Sequence, residues 1–251
     1  MNERAPRFPL ALDQVTRQGK PCAMEPAAPQ SGLGLDSIAF RLRMVDQLRA
    51  EGIHCAPVLE AMARVPRHGF VDAALAAQAY EDTSLPIGHG QTISKPSVIA
   101  RMLSLLFEGR TVGGQRLGRV LEIGTGCGYQ AAVLALLASQ VISVERLRPL
   151  HDKARENLAT LRTDGLRLVY GDGRLGHPPN APYDAIVSAA GGDDIPQAWL
   201  EQLAIGARLV APTATDAQGV QRLVCIEREA TGWSRRHHEC VRFVPLRSGT
   251  A

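Results

Sequence analysis

Three glycines at alternate positions directly after an apolar run constrain this chain more than any other stretch: Arg119-Val120-Leu121-Glu122-Ile123-Gly124-Thr125-Gly126-Cys127-Gly128-Tyr129-Gln130. Residues 120–123 read as a buried strand, and residues 131–138 as a strong helix former opening at the turn. The glycines between them permit a turn that no Cβ could accompany, which lets a large ligand approach the backbone closely. A nucleotide-like ligand over the strand end is the natural reading. Alone, the motif is unspecific, because glycine-rich strand-to-helix turns also occur in dinucleotide enzymes and in folds that bind nothing there.

Two acidic positions sharpen it. Val141-Ile142-Ser143-Val144 is a short apolar strand ending in Glu145. That carboxylate lies about twenty residues beyond the glycines, the offset at which an acidic side chain accepts hydrogen bonds from both hydroxyls of a ribose. The next apolar run, 166–170, ends in Gly171-Asp172-Gly173, where a carboxylate flanked by glycines can meet the exocyclic amine of an adenine. Taken singly, Glu145 is equally a charge at a helix N-terminus and Asp172 a turn residue. Together they make three consecutive strand ends that address one adenosine.

Glycine spacing separates two cofactors that share this architecture. A nicotinamide dinucleotide requires Gly-x-Gly-x-x-Gly and a helix N-terminus open to its pyrophosphate. This chain has Glu-x-Gly-x-Gly-x-Gly, and Glu122 suits a ligand bearing a sulfonium and an ammonium better than a pyrophosphate. S-adenosylmethionine is therefore the expected cofactor, leaving as S-adenosylhomocysteine. The residues expected to bind it are Glu122, Gly124, Thr125, Gly126, Gly128, Tyr129, Glu145, Asp172 and Gly173.

A chain of 251 residues with 45% hydrophobic content can bury one sizeable core, so one main domain is expected. A net charge of +3, with basic residues spread among acids, is too slight for a dedicated nucleic-acid binder. Arg235-Arg236-His237-His238, the densest basic run, reads as a solvated turn. No apolar run approaches membrane-spanning length, and the N-terminus lacks the apolar region of a signal peptide. The five cysteines show no CxxC pair and no metal-like spacing. Reduced thiols in a cytoplasmic, metal-free protein, working as a monomer, are the expectation. Cys127, inside the glycine turn, reads as a small filler.

Residues 1–36, rich in Pro, Ala, Gln and Gly, read as a disordered extension, leaving residues 37–251 as the folded domain. Asp36 or Ser37 is expected to cap a helix whose face carries Ile38, Leu42, Val45 and Leu48. Residues 57–65 offer a second helix, 88–94 a loop and 97–107 a third helix. Strands and helices then alternate: strand at 120, helix at 131, strand at 141, helix 149–161, strand 166–170, strand 185–188, helix 196–203, strand 208–211. Such alternation predicts an α/β fold with a doubly wound, mostly parallel sheet. Residues 222–227 and 241–246 are strand-like with no helix between them, which predicts an antiparallel pair at one side of the sheet.

From about residue 44 to 246 the chain resembles the protein-L-isoaspartate O-methyltransferases of bacterial type. The likeness runs through Val65-Pro66-Arg67 with Phe70-Val71, Tyr80-Glu81-Asp82, Leu85-Pro86-Ile87-Gly88, Gly90-Gln91-Thr92-Ile93-Ser94 and Pro96. It continues in the glycine turn, Ser143-Val144-Glu145-Arg146, Gly171-Asp172-Gly173, Ala181-Pro182-Tyr183-Asp184-Ala185-Ile186 and Val241-Arg242-Phe243-Val244-Pro245-Leu246. Residues 85–94 are its most specific part, being similar to the substrate-binding loop of that one family. The resemblance implies a Rossmann-like class I methyltransferase fold and methyl transfer to the free carboxylate of isoaspartyl residues in aged proteins. It places Ser94 closest to the reacting centre and Ile87, Gly88, Gln91, Thr92 and Ile93 about the substrate. Ser94 could also cap the helix that begins near Pro96. The chain departs from the pattern at Lys95, where bacterial members usually have glutamine, and at Ser97, where an aromatic residue is common. Gly191-Gly192 replaces the usual proline, and Arg174 a frequent tryptophan. Two other readings stay open: a methyltransferase for another acceptor, and a non-catalytic adenosine-binding module.

Overall fold

The computed structural model describes residues 38–109, 116–214 and 220–251. The extension expected over 1–36 and the cap at Asp36 or Ser37 lie outside the described residues. Among the described residues, three α-helices precede the main sheet: α1 (Ile38–Ala50), α2 (Ala56–Arg64) and α3 (Pro96–Phe107). Helix α1 buries Met44, Val45 and Leu48, whereas Ile38 and Leu42, expected on the same inward face, are 63% and 47% exposed. Among the described residues, α1 meets chiefly α2 and α3.

Between α2 and α3 the chain makes two 3-10 turns, Arg67–Phe70 and Ala73–Gln78, and then a hairpin of β1 (Leu85–Gly88) and β2 (Gln91–Ile93). Residues 88–94 were expected to form a loop; most of them belong to this hairpin. Leu85 pairs with Ile93 and Gly88 with Gln91. His89 and Gly90 form its two-residue tip, with φ of 53° and 67°. Positive φ at both central residues matches the twist of a tight hairpin. Pro86, Gly88 and Gly90 depress strand propensity and hide the element in the sequence.

The main sheet contains β3 (Leu117–Ile123), β4 (Ala138–Glu145), β5 (Leu166–Tyr170), β6 (Tyr183–Ser188), β7 (Leu203–Ala214), β8 (Gln221–Glu229) and β9 (Gly232–Val241), in the order β5-β4-β3-β6-β7-β8-β9. Pairings from β5 through β7 are parallel, and β7–β8 and β8–β9 are antiparallel. Helices α4 (Tyr129–Leu137), α5 (Arg148–Leu158) and α6 (Gln197–Gln202) connect the parallel strands. Both faces are covered: Val120, Val141, Ala185 and Val210 join one core with α1 to α5, while Leu121, Ile142, Ile186 and Leu209 join a second with Trp199 of α6. The doubly wound α/β fold is as expected. Strand β3 has β4 on one side and β6 on the other, so the chain turns opposite ways from it, and this switch point is where α/β sheets open a crevice.

The C-terminal pair departs from expectation. Its second strand is Gly232–Val241 and not 241–246, and Arg235-Arg236-His237-His238 lies within it and does not form a turn. An edge strand exposed along most of its length has no apolar alternation to announce it.

Candidate active site

A cavity of about 390 Å³ opens at the switch point, over the ends of β3 and β4. It falls within the roughly 300–1,000 Å³ range of small-molecule sites. One wall is the turn after β3. Gly124, Gly126 and Gly128 all hold positive φ, at 88°, 56° and 93°, which satisfies the reading of the motif as a turn closed to other residues. A Cβ on Gly126 would stand 3.2 Å from Cδ1 of Ile87, so the hairpin closes directly onto this turn.

Glu145 ends β4 at 5% exposure, with a carboxylate tied at both oxygens. The Gly126 amide donates to Oε2 and the Leu147 amide to Oε1, each at 2.9 Å. Two amides use half of the roughly four acceptor sites of a carboxylate, leaving the others for a diol. At the end of β5, Asp172 accepts from the amide of Arg174 through Oδ1 at 2.8 Å and from that of Gly249 through Oδ2 at 2.6 Å. The neighbouring Gly173 carbonyl accepts from Nε1 of the buried Trp199 at 2.8 Å, which pins this loop against α6.

Glu122, expected among the cofactor-binding residues, lies one step back from the cavity. It is wholly buried, does not line the cavity, and accepts from the Ser143 hydroxyl at 2.5 Å. The Ser143 hydroxyl lies 2.5 Å from that of Thr125, which does line the cavity, so Glu122 reaches the site through two hydroxyls on this side. Burial pushes its pKa up to about 8, against the opposing hydrogen bonds of Ser143 and Gln130. Strand period explains the placement: Glu122 shares a face with Val120, on the side packed by α4. Cys127 is a buried filler, its thiol pKa pushed up by burial.

Of the expected residues, Ile87, Gln91, Thr92, Ile93 and Ser94 form one side of the cavity, and Gly124, Thr125, Gly126, Tyr129, Glu145 and Gly173 the other. Gly88, Gly128, Glu122 and Asp172 are not among the residues that line the cavity, although Asp172 stands directly before Gly173, which does. Ser94 lines both this cavity and an adjoining open groove that includes Lys95, Arg101 and Arg242. It is not a cap: the N-cap of α3 is Lys95, and the Ser94 hydroxyl bonds to none of the described residues.

Three features were not read from the sequence. Arg67 is fully buried, donating from Nε to the Ala79 carbonyl at 2.7 Å and from Nη2 to the Ser94 carbonyl at 2.8 Å. Its guanidinium lies 4.9 Å from the ring centroid of Tyr129, and desolvation pulls its pKa down. The sequence signalled it only as part of the Val65-Pro66-Arg67 likeness, with no role attached. Asp82 gathers two of the departures from the family pattern, taking the Ser97 amide and hydroxyl at 2.8 Å each and lying 3.6 Å from Nζ of Lys95. Residues 244–247 form part of the cavity wall.

A model of the family described as Protein-L-isoaspartate(D-aspartate) O-methyltransferase (PCMT) matches residues 41–251. The chain is 62% identical over 248 residues to the protein-L-isoaspartate O-methyltransferase of Leptothrix cholodnii, spanning 98% of this chain and 85% of that one. It is 59% identical to the protein of the same name from Methylibium petroleiphilum, spanning 98% and 97%. A solved protein-L-isoaspartate O-methyltransferase superposes with a TM-score of 0.72 at 28% identity, covering 82% of this chain and 65% of that one. A Plasmodium falciparum structure, described as a putative enzyme of this type in complex with S-adenosyl-L-homocysteine, shares the fold with a TM-score of 0.69 at 23% identity, covering 82% and 98%.

Proposed function

The chain belongs to the protein-L-isoaspartate(D-aspartate) O-methyltransferase family, and we propose that it moves the methyl group of S-adenosylmethionine onto the free carboxylate of isoaspartyl residues in damaged proteins, starting their repair through a succinimide. The observation that carries this reading is the Glu145 carboxylate bonded to the Gly126 amide, which makes the ribose acceptor and the glycine turn one rigid unit. The cavity residues fit the cofactor: a turn whose glycines hold positive φ, a carboxylate with acceptor sites to spare, and room of about 390 Å³. Bound there, S-adenosylmethionine supplies an electrophilic methyl carbon on a sulfonium.

What remains for the protein is positioning. An isoaspartyl carboxylate is already ionised at neutral pH, so no strong general base is needed. Alignment of the attacking oxygen can supply about 7 to 11 kcal/mol of the barrier. Ser94, whose hydroxyl is free where cavity and groove meet, orients that carboxylate; Thr92 and Ile93 shape the same wall, and Gln91 reaches substrate backbone. Glu145 holds the ribose diol and Asp172 the adenine amine. Ile87, Ile93 and Ile99 keep the reacting end apolar. Sulfonium and carboxylate lose charge as they react, so a less polar wall avoids stabilising the ground state. Residues 37–251 make up the working unit, in keeping with a family match that starts at residue 41. We read it as a monomer of the cytoplasm that acts on proteins, without a nucleic-acid partner. No helix among the described residues is long and apolar enough to cross a membrane.

Two peptides identical except for an aspartyl or isoaspartyl linkage, incubated with methyl-labelled cofactor, test the reading. The isoaspartyl peptide should gain a base-labile methyl and its aspartyl twin virtually none, because an ångström of misplacement alone costs about a hundredfold. Ser94→Ala should lose at least about tenfold in turnover while cofactor affinity holds. Equal labelling of both peptides, or methylation of a small molecule or nucleic acid alone, would overturn it.

A further inference from the structure

After β9 the chain does not leave the molecule but turns back across the carboxyl edge of the sheet. The Gly191 amide donates to the Val244 carbonyl at 2.8 Å, and the Leu246 amide to the Gly191 carbonyl at 2.6 Å. Farther on, the Gly249 amide donates to Oδ2 of Asp172 at 2.6 Å. The Ala251 amide then donates to the Arg146 carbonyl at 2.8 Å, and the Arg148 amide to the Ala251 carbonyl at 2.7 Å. Nε of Arg146 donates to the Gly249 carbonyl at 3.0 Å. The segment thus runs from the loop after β6 to the ends of β4 and β5.

We propose that residues 244–251 form a strap that completes the cofactor site, with Gly249 a positioning residue for Asp172, and that opening of the strap sets how fast the cofactor leaves. This inference rests on the S-adenosylmethionine reading above. Its docking points are the two strand ends that reading assigns to adenosine: Arg146 and Arg148 follow Glu145, and Asp172 is the adenine-reading carboxylate. Asp172 receives one amide on each oxygen, from Arg174 and Gly249, which fixes the plane of its carboxylate and leaves acceptor sites for an exocyclic amine. Without Gly249 the carboxylate keeps one of these two anchors.

The strap is a wall and not an occupant, because the cavity retains about 390 Å³ with residues 244–247 in place along it. It is also the kind of segment that opens without unfolding the sheet. Residues 247–251 are exposed, Leu246 is only half-buried, and backbone hydrogen bonds at the surface supply most of the attachment. Gly249 holds φ at 74°, so the path depends on a conformation that proline cannot take.

Gly249→Pro and a deletion of residues 248–251 test this, the deletion standing in if the proline variant fails to fold. The probes are S-adenosylhomocysteine and its inosine counterpart, which carries an oxygen in place of the 6-amine, measured for affinity by calorimetry and for release by surface plasmon resonance. Release of S-adenosylhomocysteine should quicken at least about tenfold in both variants. Preference for the adenine over the inosine form should shrink several-fold, a change that general loosening would not produce. Unchanged release and unchanged preference in folded variants would overturn the strap, as would tighter binding, which would make it a competitor. Wild-type protein that binds neither probe would instead remove the cofactor reading beneath it.

Discussion

Arg67 and Ser94, 27 residues apart, are joined by a 2.8 Å hydrogen bond from Nη2 to the serine carbonyl. The same guanidinium holds the Ala79 carbonyl and stacks on Tyr129, so one buried cation ties the end of the hairpin to the helix that follows the glycine turn. Ser94 can present its hydroxyl steadily because its backbone is fixed from behind.

Arg67→Ala should therefore destabilise the fold by several kcal/mol, since a buried and a part-buried carbonyl lose partners worth about 1 to 3 kcal/mol each and a cavity is left. Arg67→Lys should fold better but turn over at least about tenfold more slowly, because an ammonium lacks the fork that spans both carbonyls. Thermal melts and isoaspartyl-peptide kinetics on the two variants check this; full activity in Arg67→Lys would contradict it.

Glu145→Ala should weaken cofactor binding roughly ten- to a hundredfold, from the loss of charge-assisted bonds worth about 1.5 to 3 kcal/mol. Because the Gly126 and Leu147 amides lose their acceptor too, hydrogen exchange at both should speed up. Calorimetry showing wild-type affinity in a folded variant would refute the ribose assignment.

Glu122 makes stability depend on pH. Its ordinary value is near 4.5 and burial lifts it to about 8. Between these values the native state keeps a proton that the unfolded chain has released. Its contribution is fully present below about pH 4.5, falls as pH rises, and levels off above about 8, with a slope of at most about 1.4 kcal/mol per pH unit. Glu122→Gln cannot ionise, so the gap between melting temperatures at pH 5 and pH 8.5 should narrow. An unchanged gap would show that the group is not protonated in the fold.

Ser97 and Lys95 both meet Asp82, but with unequal consequence. Ser97→Ala removes one of the two 2.8 Å bonds to a carboxylate that caps the first turn of α3, and should cost about 1 kcal/mol. Lys95→Gln removes a 3.6 Å ion pair whose lysine side chain is 45% exposed, and should change stability by a few tenths of a kcal/mol. Equal losses in chemical denaturation would contradict this ranking.

The parts of this molecule that were legible in the sequence are those whose signal is local. Alternate glycines after an apolar run announced a left-handed turn, and β4 ends in Glu145 where the offset placed it. Glu122 is buried and does not line the cavity, a placement its motif position could not announce because it says nothing about which face of β3 the residue occupies. Arg67 acts through groups 12 and 27 residues away, contacts that no window of sequence contains. The strap has no periodicity to detect, since it pairs with strand ends rather than forming a strand of the main sheet.

Strand β9 has a bearing on the company this enzyme keeps. Aged proteins arrive with loosened segments whose unpaired backbone will join any open sheet, and β9 is the terminal strand of this one. Arg235 and Arg236 along that rim make it a poor template, because a chain laid against it would strip water from their charges. The same row of residues that masked the strand in the sequence thus sets it against pairing edge to edge with another chain.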